Sequence, residues 1–143
     1  MHQKEVNMNK ERTCDTFYVT LGKNNTEYVF SSMKYSNKVR NIVDIAESLG
    51  LNHKQRFVDG IDIPLSRHFY LTLNLRKDCL MLVGRYHEDT IIQSSIVREL
   101  VLNGYDLGFD GHMILISLNE KKDIRETIMS LKALSEKFPN GFN

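Results

Sequence analysis

Hydrophobic and polar side chains alternate from His68 onward in the stretch Arg67 to Arg76, which reads R-H-F-Y-L-T-L-N-L-R. Successive side chains of an extended chain point to opposite faces. Phe69, Leu71, Leu73 and Leu75 therefore share one side, and His68, Tyr70, Thr72, Asn74 and Arg76 share the other. The pattern predicts a strand with one core face. Its second face carries an imidazole, a phenol, a hydroxyl, an amide and a guanidinium in a row.

The same alternation, with Phe17, Val19 and Leu21 facing one way, predicts a strand from Thr16 to Gly22. Lys23-Asn24-Asn25-Thr26 has the composition of a turn, and Glu27 to Met33 reads as the second arm of a hairpin. Val39, Ile42, Val43, Ala46 and Leu49 then recur at helical spacing, with Ser36 or Asn37 as the expected cap and Gly50 as the stop. Residues 51–65 are the least regular part, a polar connection long enough to suggest function. Lys77-Asp78 is expected to turn the chain from Arg67–Arg76 into a strand from Cys79 to Tyr86.

Asp89 is expected to cap a helix from Thr90 to Asn103, ended by Gly104. The apolar run from Gly111 to Leu118 suits a central strand buried on both faces. Asn119 is expected to cap a last helix whose stripe is Ile124, Ile128, Leu131 and Leu134, with Pro139 and Gly141 ending it. The order β-β-α-β-β-α-β-α contains β-α-β-β-α-β, the split βαβ of a ferredoxin-like fold. The expected class is thus α+β, with helices on one face of an antiparallel sheet, an extra N-terminal strand and a C-terminal helix. In that arrangement Arg67–Arg76 and the last strand are expected near the centre of a sheet whose second face is open.

Length and composition suit one domain spanning 14–143, preceded by a disordered arm over 1–13. The chain has 143 residues, 41% hydrophobic and 26% charged, which is ordinary for a globular domain. Its N-terminal dozen residues are polar and lack the apolar stretch of a secretory signal, and no apolar run approaches a membrane span. With no such signal, Cys14 and Cys79 are expected as free thiols in a reducing, cytoplasmic setting. The formal net charge is +1. Residues 1–72 hold ten Lys/Arg against eight Asp/Glu, and the remainder nine against ten. Neither half is the basic footprint of a protein that coats nucleic acid.

The chemistry-bearing residues form no short motif. Neither G-x-x-x-x-G-K nor G-x-G-x-x-G is present, and G-x-S-x-G and H-E-x-x-H are also missing. His2, His53, His68, His87 and His112 include no metal-spaced pair, and His68 and His112 lack the H-x-T/S pattern of a two-histidine phosphoesterase. Asp59 and Asp62 flank Gly60 with too few oxygen ligands for a calcium loop, so a turn is the expected role. Asp106 and Asp110 around Gly108 read as a helix-to-strand connection. No catalytic residue, metal or cofactor is assigned.

The expected function is a small binding or regulatory module that uses an open polar-aromatic sheet face. Tyr18, His68, Tyr70, Asn74 and Arg76 are the expected ligand-binding residues, for a protein partner or a small molecule. Two alternatives follow from the same face. One is an RNA- or nucleotide-binding protein helped by Lys34, Lys38 and Arg40, though the K/R-G-F/Y-G/A-F signature of RNA-binding sheets is missing. The other is a motif-poor hydrolase or nuclease using His68 or His112. An open sheet also suits a homodimer.

Overall fold

The computed structural model describes residues 2–6, 16–84, 95–110, 113–117 and 123–138. Among them the chain is α+β, with three α-helices and two antiparallel sheets. The first sheet orders β1 (His2–Val6), β2 (Thr16–Leu21) and β3 (Thr26–Phe30) side by side. A 3-10 turn at Met33–Tyr35 leads into α1 (Ser36–Ser48). Then follow β4 (Lys54–Gln55), β5 (Gly60–Pro64), β6 (Phe69–Asn74) and β7 (Cys79–Gly84). The remaining elements are α2 (Ser95–Leu102), β8 (Leu107–Asp110), β9 (Met113–Ser117) and α3 (Ile124–Lys137). The second sheet has the order β4-β5-β6-β7-β9-β8.

The alternation in β6 has the expected phase. Phe69, Leu71, Leu73 and Leu75 are buried, as are their cross-strand neighbours Ile61, Ile63, Leu80 and Leu82. They join one core with Val39, Ile42 and Ala46 of α1, Ile96 and Leu100 of α2, and Ile128 and Leu131 of α3. Val19, Leu21, Tyr28 and Phe30 bring the first sheet into the same core. Removal of this much apolar surface from water is the main stabilising term.

The split βαβ arrangement is not confirmed. That arrangement places its first strand between its third and fourth, whereas here the strands expected third and fourth, β7 and β9, pair directly with each other. The strand expected at 27–33 pairs with β2, outside the six-stranded sheet. What replaces the crossover is a meander in which β5, read from sequence as loop, pairs with β6 from Gly60↔Asn74 to Pro64↔Tyr70.

Several local expectations also change. The segment 1–13 is not all arm, because His2–Val6 pairs with β2 from His2↔Thr20 to Val6↔Thr16. Its polar sequence gave no alternation to read, and backbone pairing to an edge strand needs none. Neither Ser36 nor Asn37 caps α1: the preceding 3-10 turn leads straight into it, and Ser32 caps that turn by accepting from the Lys34 amide. Asp123, not Asn119, caps α3, its side chain accepting from the Arg125 amide at 2.7 Å. Asn119 and the Asp89 cap fall outside the described residues, as do 85–94 of the strand and helix expected there. Ile114 and Ile116 of β9 are fully buried, but Met113 and Leu115 on its other face are only half-buried. The turns fit their residues: Gly22, Asn25, Gly50, Asp78 and Gly104 all have positive φ.

The two sheets meet at β3 and β4. The Gln55 side-chain amide accepts from the Val29 N–H and donates to the Val29 carbonyl at 3.0 Å. Nearby, Asp59 is completely buried with φ +66°. Its carboxylate accepts from the Ser31 amide at 2.7 Å, the Ser31 hydroxyl at 2.6 Å and Arg76 Nε at 2.6 Å. A charge so buried requires such partners, and these tie the end of β3 to the end of β6.

Candidate functional site

The second face of the six-stranded sheet is where the polar row of β6 emerges. Cross-strand register sets Lys54, Asp62, Thr72, Met81 and Leu115 in one row, and Pro64, Tyr70, Val83 and Met113 in the next. At the end of this face where β5 turns into β6 lies a cavity of about 480 Å³. That volume is in the usual range for small-ligand sites, about 300–1,000 Å³. The turn is closed by the Leu65 and Ser66 amides, which both donate to the Phe69 carbonyl, at 2.9 and 3.1 Å.

Lys54, Arg56, Asp62, Arg67, His68 and Tyr70 all line the cavity. Pro64, Ser66, Phe69, Val83 and Gly84 complete the lining. Asp62 is only 2% exposed, and it is held on both sides. Thr72 Oγ1 donates to it at 2.6 Å, and Arg56 Nε at 2.9 Å. The Arg56 guanidinium lies 5.0 Å from the Tyr70 ring centroid, a cation–π contact. Asp62 thus orients Arg56, and Arg56 covers Tyr70. Lys54 and Arg67 have no anionic partner among the described residues. The cavity therefore holds two cations whose charge no acidic side chain among the described residues compensates.

Of the residues expected to bind ligand, His68 and Tyr70 come together here. The others lie elsewhere. Asn74 and Arg76 are at the opposite end of β6, where Asn74 Oδ1 accepts from the Lys77 amide at 3.1 Å and Arg76 engages Asp59. Tyr18 belongs to β2, paired with Val29 in the other sheet. Lys38 forms an ion pair with Asp78, and Lys34 lies 5.3 Å from the ring centroid of Tyr35. Neither they nor Arg40 lines the cavity. His112 falls outside the described residues. Asp59 and Asp62 do not converge: Asp59 turns to Ser31 and Arg76, Asp62 to Thr72 and Arg56. No group of three or more potential metal ligands occurs among the described residues.

Sequence reasoning missed Lys54, Arg56, Ser66 and Arg67 as one constellation. The available signal was the irregular stretch 51–65 with its basic residues. A two-residue strand, β4, brings Lys54 beside Asp62, and no local pattern announces that pairing.

A separate polar chain lies at the other side of the sheet junction. The Tyr28 hydroxyl meets His53 Nδ1 at 2.5 Å, and His53 Nε2 meets Glu47 Oε2 at 3.0 Å. Glu47 also accepts from the Lys23 amide at 3.1 Å. The hydrogen bond from His53 holds the Glu47 carboxyl below its ordinary range, helped by Lys23. Burial pushes the Tyr28 phenol up, with Glu47 and Asp62 adding to the shift. Tyr28 is 1% exposed and the adjoining cavity only about 60 Å³. This chain is a structural joint rather than a ligand site. Burial also raises the free thiol of Cys79.

Comparison with protein-family models, with curated proteins and with solved structures returned no match to this chain. The site is therefore argued from its own geometry. No helix among the described residues is long and apolar enough to cross a membrane.

Proposed function

We propose that the protein is a binding module that takes a small anionic ligand in the cavity between β4, the β5–β6 turn and the end of β7. The observation that carries this reading is the pair Lys54 and Arg67, both lining the cavity and both without an anionic partner among the described residues. A concave, partly apolar pocket with a few convergent polar groups is the form small-ligand sites take. Here the third cation, Arg56, is already held by Asp62. The other two are left for a ligand, and Ser66 and His68 add hydrogen-bonding groups at the rim.

The test is calorimetric titration with orthophosphate and with small dicarboxylates at low ionic strength, using the wild type, Lys54→Ala and Arg67→Ala. Saturable one-site binding is expected, weakened about tenfold by either substitution, in line with a lost charge-assisted hydrogen bond. Absence of saturable binding by every anion, or binding indifferent to both substitutions, refutes the reading.

A further inference from the structure

We infer that the ligand of this cavity is a nucleoside monophosphate, a conclusion that rests on the anion-binding reading above and narrows it. The first argument is charge. Lys54, Arg56 and Arg67 bring three positive charges and Asp62 one negative, leaving +2 among the described Lys, Arg and Asp residues that line the cavity. A phosphate monoester carries about −1.5 to −2 at neutral pH and three strong acceptor oxygens. It matches the surplus, whereas a monocarboxylate leaves half of it unmet and a triphosphate exceeds it. Arg67 and Lys54 are the free donors for those oxygens. A guanidinium can grip a phosphate through two parallel hydrogen bonds, and an ammonium acts as a point charge.

The second argument is the stack beside them. The Arg56 guanidinium is fixed at one edge by Asp62, at 2.9 Å, and lies 5.0 Å from the Tyr70 ring centroid. Its side chain remains 44% exposed. A planar cation backed by an aromatic ring is a platform for a further planar group, and nucleobases stack on both guanidinium planes and aromatic rings. A phosphate alone has no use for this platform. A ligand with both a phosphate and a flat ring uses both halves of the site, and about 480 Å³ is room for one nucleotide.

The experiment compares adenosine 5′-monophosphate, ribose 5-phosphate, orthophosphate and adenosine by calorimetry with the full chain in one buffer. The nucleotide is expected to bind about tenfold more tightly than ribose 5-phosphate, from base stacking. Tyr70→Leu is expected to erase that difference by weakening the nucleotide about tenfold more than ribose 5-phosphate, and Arg67→Ala to weaken both. Backbone amide shifts at Arg67 and Tyr70 in the wild type on adding the nucleotide supply a reading that needs no variant. Equal affinity for nucleotide and sugar phosphate overturns the nucleotide inference and leaves the anion site standing. Failure of all four probes and of the dicarboxylates overturns both. Binding of adenosine as tight as that of its monophosphate also overturns the inference, because the phosphate then contributes nothing.

Discussion

The side-chain amide of Gln55 pairs with the backbone of Val29 as a neighbouring strand would, accepting from its N–H and donating to its carbonyl. It stands where a peptide group of β4 does not reach, and it joins the three-stranded sheet to the six-stranded one. The Val29 carbonyl has a second donor, the Asp59 amide at 3.2 Å, but Gln55 supplies the acceptor for the Val29 N–H. Gln55→Ala should leave that N–H unpaired in a half-buried place, at a cost of about 1–3 kcal/mol. Urea denaturation of the variant against wild type checks this. A midpoint within error of wild type refutes the joint.

Asp59 makes the second tie between the sheets, and its two kinds of partner predict unequal losses. Asp59→Ala removes the acceptor of the Ser31 amide, the Ser31 hydroxyl and Arg76 Nε. Breaking a buried pair costs about 3–5 kcal/mol when both ions are enclosed. Arg76 is 61% exposed, so solvent screens part of this and about 2–4 kcal/mol is expected. Arg76→Ala should cost less, about 1–2 kcal/mol, because Ser31 still satisfies the carboxylate. Asp59→Asn should fall between them, since Asn tolerates the positive φ and keeps one acceptor oxygen. The order of denaturation midpoints is the test, and Arg76→Ala proving the most damaging variant contradicts it.

The Tyr28–His53–Glu47 chain makes stability fall at both extremes of pH. Glu47 has a depressed folded-state pKa, so it stabilises the fold above the ordinary carboxylate value, about 4.3. That contribution is lost as pH falls through the folded value. Tyr28 has a raised pKa, so the unfolded chain releases its phenolic proton first. Its contribution is whole below about pH 10 and is lost as pH rises beyond it. Glu47→Gln should flatten the acid limb of a urea-midpoint profile, and Tyr28→Phe the alkaline limb. Limbs that keep their slopes in both variants place the titration elsewhere.

Sequence made some of this legible and hid the rest for identifiable reasons. The phase of β6 was readable because Phe69, Leu71, Leu73 and Leu75 pack on one side with no competing signal. The end of α1 was readable because Gly50 adopts φ +70°, which favours glycine. By contrast, β5 carries Ile61 and Ile63 at strand spacing, but Gly60, Asp62 and Pro64 between them read as a loop. What makes Asp62 tolerable in a sheet is Thr72 and Arg56, partners that only the folded chain supplies. The cavity was hidden in the same way. His68 and Tyr70 stood out in one strand, but Lys54 and Arg56 reach them across β5, through pairings with no local pattern.

The two faces of β6 should respond oppositely to truncation. Leu73 is 1% exposed and lies between Ile61 and Leu80 on the neighbouring strands. Leu73→Ala removes buried methyl groups and leaves a cavity, which costs about 2–5 kcal/mol. Tyr70 lies on the other face, half-buried, with Arg56 against its ring. Tyr70→Leu keeps an apolar body there and loses chiefly the cation–π contact, worth about 0.5–1 kcal/mol at an exposed site. Paired urea titrations should therefore show Leu73→Ala strongly destabilised and Tyr70→Leu nearly native, with the loss in Tyr70→Leu falling on nucleotide binding. If Tyr70→Leu unfolds as readily as Leu73→Ala, the second face is part of the core, and the cavity is a packing defect rather than a site.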